Sequence, residues 1–335
     1  MSGTVIIGGG QAALSAAAEL RKRKHDQSII ILAGEAAAPY QRPPLSKAYL
    51  AGELPVDRLW LKPAEWYDKA EIDLRTGVRV TAIDRSACNV ITDTGERIAY
   101  DRLILATGGE ARRLPIPGAD LDGVHVLRTL AETEDLAASF HDARSIAIIG
   151  AGYIGLEVAA SARKRGLEVT ILEAAERPMA RTASALLGGW FGAIHRGYGV
   201  DLRVNAPVKA IAGEGGKVTG VELADGEIVD ADTVLVAAGL TVNDQLARAA
   251  GLECDNGILV DETARTGDDR IYAIGDVARF HSKRYGRSIR LESVQNAIDQ
   301  GKAAAQAICG LEVDYDPVPW FWSDQYDMKL QIAGL

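Results

Sequence analysis

Cysteine is scarce in this chain. Three occur, Cys88, Cys254 and Cys309, and no two stand in a C-x-x-C or C-x4-C arrangement. That excludes a cysteine-pair redox centre and a thiolate metal cluster, and it suits a reducing compartment, the cytoplasm. The histidines (His25, His125, His141, His195, His281) are scattered and share no metal-ligand spacing, so no metal site is expected. No apolar run approaches the roughly 18–20 residues of a membrane span. Met1-Ser2-Gly3-Thr4 leads straight into an apolar strand, without the basic and long apolar regions of a signal peptide; no membrane association is expected. Positive charge is also in the minority. Against 46 acidic residues stand 37 lysines and arginines, a net charge of −9, which disfavours a general nucleic-acid binder.

Two basic clusters run against that balance, Arg21-Lys22-Arg23-Lys24 and Lys283, Arg284, Arg287, Arg290. The first reads as a solvated helix face. For the second, a solvated loop and a docking patch for an acidic partner both stand open.

Glycine, by contrast, is in excess. Average usage of about 7% would give roughly 23 residues, and the chain has 35. With 47% hydrophobic and 25% charged residues, the composition is that of a globular protein and excludes disorder, collagen and a small disulfide scaffold. A length of 335 residues suggests two domains at about 150 residues each.

The glycines fall at repeated corners. Val5-Ile6-Ile7 is a short buried strand, Gly8-Gly9-Gly10 a turn, Gln11 to Lys24 an alanine-rich helix and Ser28 to Leu32 a strand, a βαβ unit. From Val78 to Leu105 short segments alternate with turn residues, an antiparallel meander. The plan then recurs: Ser145 to Ile149, the turn Gly150-Ala151-Gly152, a helix from Tyr153 to Arg165, a strand from Leu167 to Leu172, and a second meander from Val208 to Ala237. One copy ends in Ala106-Thr107-Gly108 and the other in Ala237-Ala238-Gly239.

Both turns carry a dinucleotide fingerprint, Gly8-x-Gly10-x-x-Ala13 and Gly150-x-Gly152-x-x-Gly155. The first glycine permits the tight turn, the second lets backbone N–H groups approach a pyrophosphate, and the third small residue lets helix and strand pack closely. The helix N-terminus holds the phosphates. Glu173 follows Gly152 by 21 residues, and Glu35 follows Gly10 by 25, near the spacing of about 20 for the acid that binds the ribose. Two nucleotides on one chain suggest a flavin and a nicotinamide.

Ile271-Tyr272-Ala273-Ile274-Gly275-Asp276, a short strand ending in Gly-Asp before a further helical stretch, resembles the second flavin motif of the two-dinucleotide-binding flavoproteins. That resemblance implies that Gly275 and Asp276 meet FAD and that the first copy is the FAD domain, interrupted by the second. Glu173 then belongs to the NADH ribose, where its charge would repel the 2′-phosphate of NADPH. The expected fold class is α/β, with two Rossmann-like domains of glutathione-reductase type. The FAD-binding domain spans 1–112 and 242–317, and the NADH-binding domain spans 113–241.

Four stretches narrow the resemblance: Pro39-Tyr40-Gln41-Arg42-Pro43-Pro44-Leu45-Ser46-Lys47, Gly150 to Glu157, Glu292 to Ala297, and Val318 to Gln325. Together they resemble the NADH-dependent ferredoxin reductases of bacterial oxygenase systems, over essentially the whole chain. The resemblance implies that FAD is bound by Gly8, Gly10, Ala13, Glu35, Arg42, Lys47, Thr107, Gly108, Gly275, Asp276, Val294 and Trp320. It places NADH on Gly150, Gly152, Tyr153, Ile154, Gly155, Glu173 and Gly239. Lys47 is implied to lie near the reactive flavin nitrogen, with Glu157 close enough to pair with it; these two are the candidate catalytic residues. Taken from the residues alone, Lys47 can equally be a surface lysine after a Pro-Pro turn and Trp320 simple core.

The implied activity is hydride transfer from NADH to FAD, then release of single electrons to a [2Fe-2S] ferredoxin serving a cytochrome P450 or a Rieske dioxygenase. An NADH oxidase, a rubredoxin reductase, or a redox-controlled interaction protein resembling apoptosis-inducing factor are the alternatives. Monomer and weak dimer are both open. Family members continue past Asp324-Gln325 with an α+β interface domain. Here 318–335 is expected to be the start of that domain, truncated within its first strand.

Overall fold

A computed structural model describes residues 3–335. The strand Gly3–Ile7 is buried along its whole length, as a central parallel strand requires. It runs parallel to Ile29–Ala33 on one side and to Arg97–Leu105 on the other, and Ile72–Thr76 extends the sheet beyond Ile29–Ala33. The inner half of Arg97–Leu105 also pairs in parallel with Ile271–Ala273, in the register Ile271 to Leu103 and Ala273 to Leu105. The sheet that starts the chain is therefore completed by a strand from beyond the second unit. The outer half of Arg97–Leu105 pairs antiparallel with Asn89–Thr92, which pairs with Val80–Asp84.

The second unit repeats the first. Ser145–Ile149 lies between Glu168–Leu172 and Thr233–Val236, all parallel, with Asp201–Arg203 and Val124–His125 at the edges. The meander Val208–Glu214, Lys217–Leu223 and Ile228–Asp230 packs Ile211, Val218, Val221 and Val229 into the same core as Ile149 and Val234. Where the chain enters and leaves this unit, Gly109–Ala111 pairs antiparallel with Leu240–Val242.

The helix Gln11–Lys22 buries Ala12, Ala13, Ala16 and Ala17 and packs against Val294–Ile308. A Cβ on Gly301 would stand 2.7 Å from the Ala12 carbonyl oxygen, so that glycine sets the helix approach. The Arg21–Lys24 cluster is more than a solvated face. The Arg21 guanidinium donates to the carbonyls of His25, Gln27, Ala70 and Glu71, clamping the end of the helix to its neighbours.

Two local expectations change. Gly275-Asp276 leads into a single 3-10 turn, Gly275–Val277, and then a strand, Ala278–Ser282, rather than a helix. Ala278, Phe280 and Ser282 alternate inward with period two, and that alternation fixes a strand; the helix waits until Val294. The end of the chain is a hairpin and not a lone strand: Trp320–Gln325 pairs antiparallel with Met328–Ala333. Tyr326 adopts the positive φ of 56° that closes it, and Met328 and Leu330 pack on a core that the second unit shares with Tyr40, Leu45, Leu50 and Leu59 of the first. Among the described residues no helix is long and apolar enough to cross a membrane.

Candidate functional site

Three of the helices, Leu130–Ser139, Ala185–Gly197 and Val294–Ile308, begin with a side-chain cap, at Thr129, Ser184 and Ser293. The two that follow the glycine turns, Gln11–Lys22 and Tyr153–Lys164, begin at Gly10 and Gly152 without one. Their first backbone N–H groups and positive dipole ends are left for a ligand. The glycines divide into two kinds. Gly8 has a φ of +119°, and a Cβ there would meet the Ala106 carbonyl oxygen at 2.1 Å; Gly150 has a φ of +108°, with the Ala237 oxygen at 2.6 Å. The fold itself demands these two. A Cβ on Gly10 or Gly152 would meet no protein atom within 4 Å, so the fold does not require glycine there, whereas a pyrophosphate lying on the backbone would. The chain fits two dinucleotides on this ground.

Both turns open onto one cleft of about 2280 Å³. It gathers the sequence candidates except Ala13 and Gly155, which face inward. Ala13 is fully buried, and a Cβ on Gly155 would meet the Gly150 oxygen at 2.1 Å. Their part is the close packing of helix on strand.

At the first unit, Glu35 accepts from Tyr40 Oη and from Arg42, both at 2.5 Å. Burial pushes the Tyr40 phenol well above its ordinary value, so it stays a neutral donor. Arg42 also donates to the Arg128 carbonyl at 2.6 Å. Thr107 and Gly108 end the strand Arg97–Leu105, tied to Asn243 through the Thr107 hydroxyl at 2.7 Å. Asp276 forms an ion pair with Arg128, and the Asp276 carbonyl accepts from Arg290 at 3.0 Å. The Nε of Arg128 and the Nε of Arg290 are buried without a protein partner. Two guanidinium groups with spare donors beside Asp276 suit the anionic, hydroxyl-rich middle of FAD.

At the second unit, both oxygens of Glu173 are held by backbone amides, Ala151 N at 2.7 Å and Ala175 N at 2.8 Å. The carboxylate is thus fixed beside the glycine turn. Tyr153 and Ile154 begin the helix; Ile154 is exposed, and Tyr153 packs edge-on against Phe321 with centroids 4.9 Å apart. Gly239 closes the strand Thr233–Val236 with a φ of +99°.

Between the two units stands Glu157, 3% exposed. Lys47 Nζ donates to its Oε2 at 2.8 Å and Ser46 Oγ at 2.5 Å, while Ser323 Oγ donates to Oε1 at 2.5 Å. Lys47 is neither exposed nor loose; it also donates to the Pro43 carbonyl at 3.1 Å. Trp320, 38% exposed, stands at the cleft rim beside Trp322 and is not core. Val294 opens its helix on the same cleft.

Sequence reasoning missed Arg128, Ser46 and Ser323. The signal for Arg128 was present: Thr129 and Glu132 form a capping box, and the residue before such a box is held at a helix start. Nothing local marked the serines, since their partner lies across the fold. The second basic cluster divides. Arg290 turns inward, whereas Arg284 and Arg287 are exposed and Lys283 pairs with Asp314 at 2.8 Å.

Two sheets of one plan, two uncapped glycine-turn helices and one shared cleft define a two-nucleotide oxidoreductase. The chain belongs to the pyridine nucleotide-disulphide oxidoreductase family, whose pattern matches residues 3–301. A second pattern, "Reductase C-terminal", matches residues 320–335. The chain is 48% identical to rhodocoxin reductase of Rhodococcus erythropolis, over 99% of its own length and 78% of the relative's. It superposes with a TM-score of 0.96 on the ferredoxin reductase for the CYP199A2 system of Rhodopseudomonas palustris, at 43% identity, covering 99% of this chain and 82% of that one. The covalent putidaredoxin reductase–putidaredoxin complex gives a TM-score of 0.97 at 40% identity, covering 100% and 81%.

Proposed function

We propose that the chain is an FAD-dependent NADH:ferredoxin oxidoreductase in which FAD, when bound, accepts the hydride of NADH as an electron pair and gives the electrons up singly to a [2Fe-2S] ferredoxin. The ferredoxin in turn serves an oxygenase, a cytochrome P450 or a Rieske dioxygenase. One observation carries the reading: two glycine-turn helices meet at one cleft, and the Lys47–Glu157 pair stands between them. The named relatives, reductases of ferredoxin-dependent systems, support it. Cys88, Cys254 and Cys309 are free, so no internal dithiol competes for the electrons, and they also favour a cytoplasmic setting.

Each residue's part follows from its chemistry. Residues 1–112 and 242–317 would hold FAD, with Gly8, Gly10, Ala13 and Glu35 at the adenosine and pyrophosphate end. Arg42, Thr107, Gly108, Gly275 and Asp276 would follow along the chain of the cofactor, and Val294 and Trp320 would border the ring. Residues 113–241 would hold NADH on Gly150, Gly152, Tyr153, Ile154, Gly155, Glu173 and Gly239. Lys47, a cation fixed by its buried pairing, would stabilise the negative charge that the ring gains on reduction. Glu157 keeps that cation in place. Residues 318–335 would belong to an interface domain, and their Ser323 donates to the Glu157 oxygen that Lys47 and Ser46 leave free.

The test is an absorbance spectrum of the purified protein before and after NADH. The expected result is a visible flavin band that bleaches on mixing, followed by cytochrome reduction only when a ferredoxin is added. Rapid oxygen consumption without any carrier would instead assign an NADH oxidase.

A further inference from the structure

The carboxylate of Glu157 is the end of a longer chain of buried polar groups, and most of that chain comes from the terminal hairpin. Ser323 and Gln325 lie two apart on one strand and so share a face; both are fully buried, as is His195 on the helix Ala185–Gly197. Tyr326 Oη stands 3.3 Å from His195 Nδ1, and His195 Nε2 stands 2.9 Å from Gln325 Oε1. Gln325 Nε2 donates to Ser323 Oγ at 3.2 Å, and Ser323 Oγ donates to Glu157 Oε1 at 2.5 Å.

The direction of these bonds is determined. A carboxylate only accepts, so Ser323 must spend its one proton on Glu157 and can take another bond only as acceptor. The Gln325 amide nitrogen must therefore face Ser323 and its oxygen His195. That oxygen requires a proton on His195 Nε2, which leaves Nδ1 to accept from Tyr326. Burial lowers the proton affinity of His195, consistent with this neutral tautomer. Every member donates toward Glu157, none is left unpaired along the way, and the carboxylate at the end of the line accepts directly from Lys47 Nζ.

We propose that Ser323, Gln325 and His195 are positioning residues that hold Glu157 as the anion paired with Lys47, and so set the electrostatic field at the flavin ring from the terminal hairpin. The inference rests on the function proposed above. Its physical basis is that a buried carboxylate stripped of a donor loses stabilisation of its charged form. The charged group facing Glu157 is Lys47. Ser46, Ser323 and, one turn earlier on its own helix, Tyr153 are neutral; Asp324 and Lys329 are cross-strand neighbours on the hairpin's other face. A Glu157 carboxylate held by fewer donors offsets the Lys47 charge less completely, and flavin reduction becomes easier.

The test measures the FAD midpoint potential by spectroelectrochemistry across a pH series in the flavin-loaded full chain. Ser323→Ala is expected to shift the potential upward relative to the parent. Ser323→Thr, which keeps the hydroxyl, is expected to restore the parent curve. Gln325→Met, one link further out, is expected to shift it in the same direction by less. Should Ser323→Ala fail to retain flavin, the Gln325→Met curve decides. Parent-like curves in folded, flavin-loaded Ser323→Ala and Gln325→Met proteins would overturn the inference. A parent protein that binds no flavin would instead overturn the functional reading beneath it.

Discussion

Lys47 and Glu157 stand 110 positions apart in the sequence, and Lys47 Nζ donates to Glu157 Oε2 at 2.8 Å. The lysine arrives directly after the Pro43–Ser46 turn of the first unit and the glutamate on Tyr153–Lys164, the glycine-turn helix of the second. The pair is therefore both a weld between the units and a fixed charge at the shared cleft.

Lys47→Ala tests the charge. Removing a charge-assisted contact worth about 1.5–3 kcal/mol should slow flavin reduction by NADH by about 10- to 150-fold at about 1.4 kcal/mol per tenfold. Stopped-flow bleaching of the flavin band measures it, and the flavin potential should fall in parallel. A variant that bleaches at the parent rate would show that the lysine is structural.

Glu173→Ala tests nucleotide choice. The loss of the hydrogen bonds proposed between Glu173 and the ribose should raise KM for NADH by about 10- to 150-fold, on the same arithmetic. KM for NADPH should fall or stay level, because a negative charge has gone. Steady-state kinetics with both donors decides; an unchanged NADH KM would displace Glu173 from the ribose.

The glycine turns separate fold from ligand. Gly150→Ala forces a β-carbon onto the Ala237 carbonyl at a φ of +108°, and strain of about 1–3 kcal/mol should lower the melting temperature. Gly152→Ala meets no protein atom and should leave melting near the parent while raising KM for NADH. Equal melting losses in the two variants would contradict the assignment of that space to the pyrophosphate.

A docking patch for an acidic partner, one of the two readings of the second basic cluster, would rest on Arg284 and Arg287, because Arg290 is turned inward onto Asp276 and Glu292. Arg284→Glu with Arg287→Glu should slow ferredoxin-mediated cytochrome reduction and flatten its salt dependence, as rim charges govern association. NADH-to-ferricyanide turnover should be unchanged. Equal loss in both assays would remove the patch from docking.

His195 should confer acid sensitivity. Burial lowers its proton affinity below the ordinary value of 6.5, so the unfolded chain binds the proton more readily than the folded one. Its stabilising share is full above pH 6.5 and is lost as pH falls through the lowered folded value. His195→Gln should therefore lose less melting temperature than the parent on acidification, as read by calorimetry.

The glycine excess, the doubled βαβ plan and the spacing of Glu35 and Glu173 were legible in the sequence, because each is a local rule. A tight turn needs glycine, a parallel strand is apolar along its length, and an acid at the end of the second strand lies beside the turn. What the sequence alone left open was decided by contacts between distant segments. The 3-10 turn after Gly275 and the pairing of Ile271–Ala273 with Arg97–Leu105 depend on a sheet edge supplied more than a hundred residues earlier. Arg290 reads as one of a basic cluster until the strand Arg287–Arg290 turns it toward Asp276. Above all, Ser46, Lys47, Glu157 and Ser323 carry no mutual signal along the chain. Only the folded molecule brings the three donors around the one buried carboxylate, because a buried charge must find its donors wherever the packing can supply them.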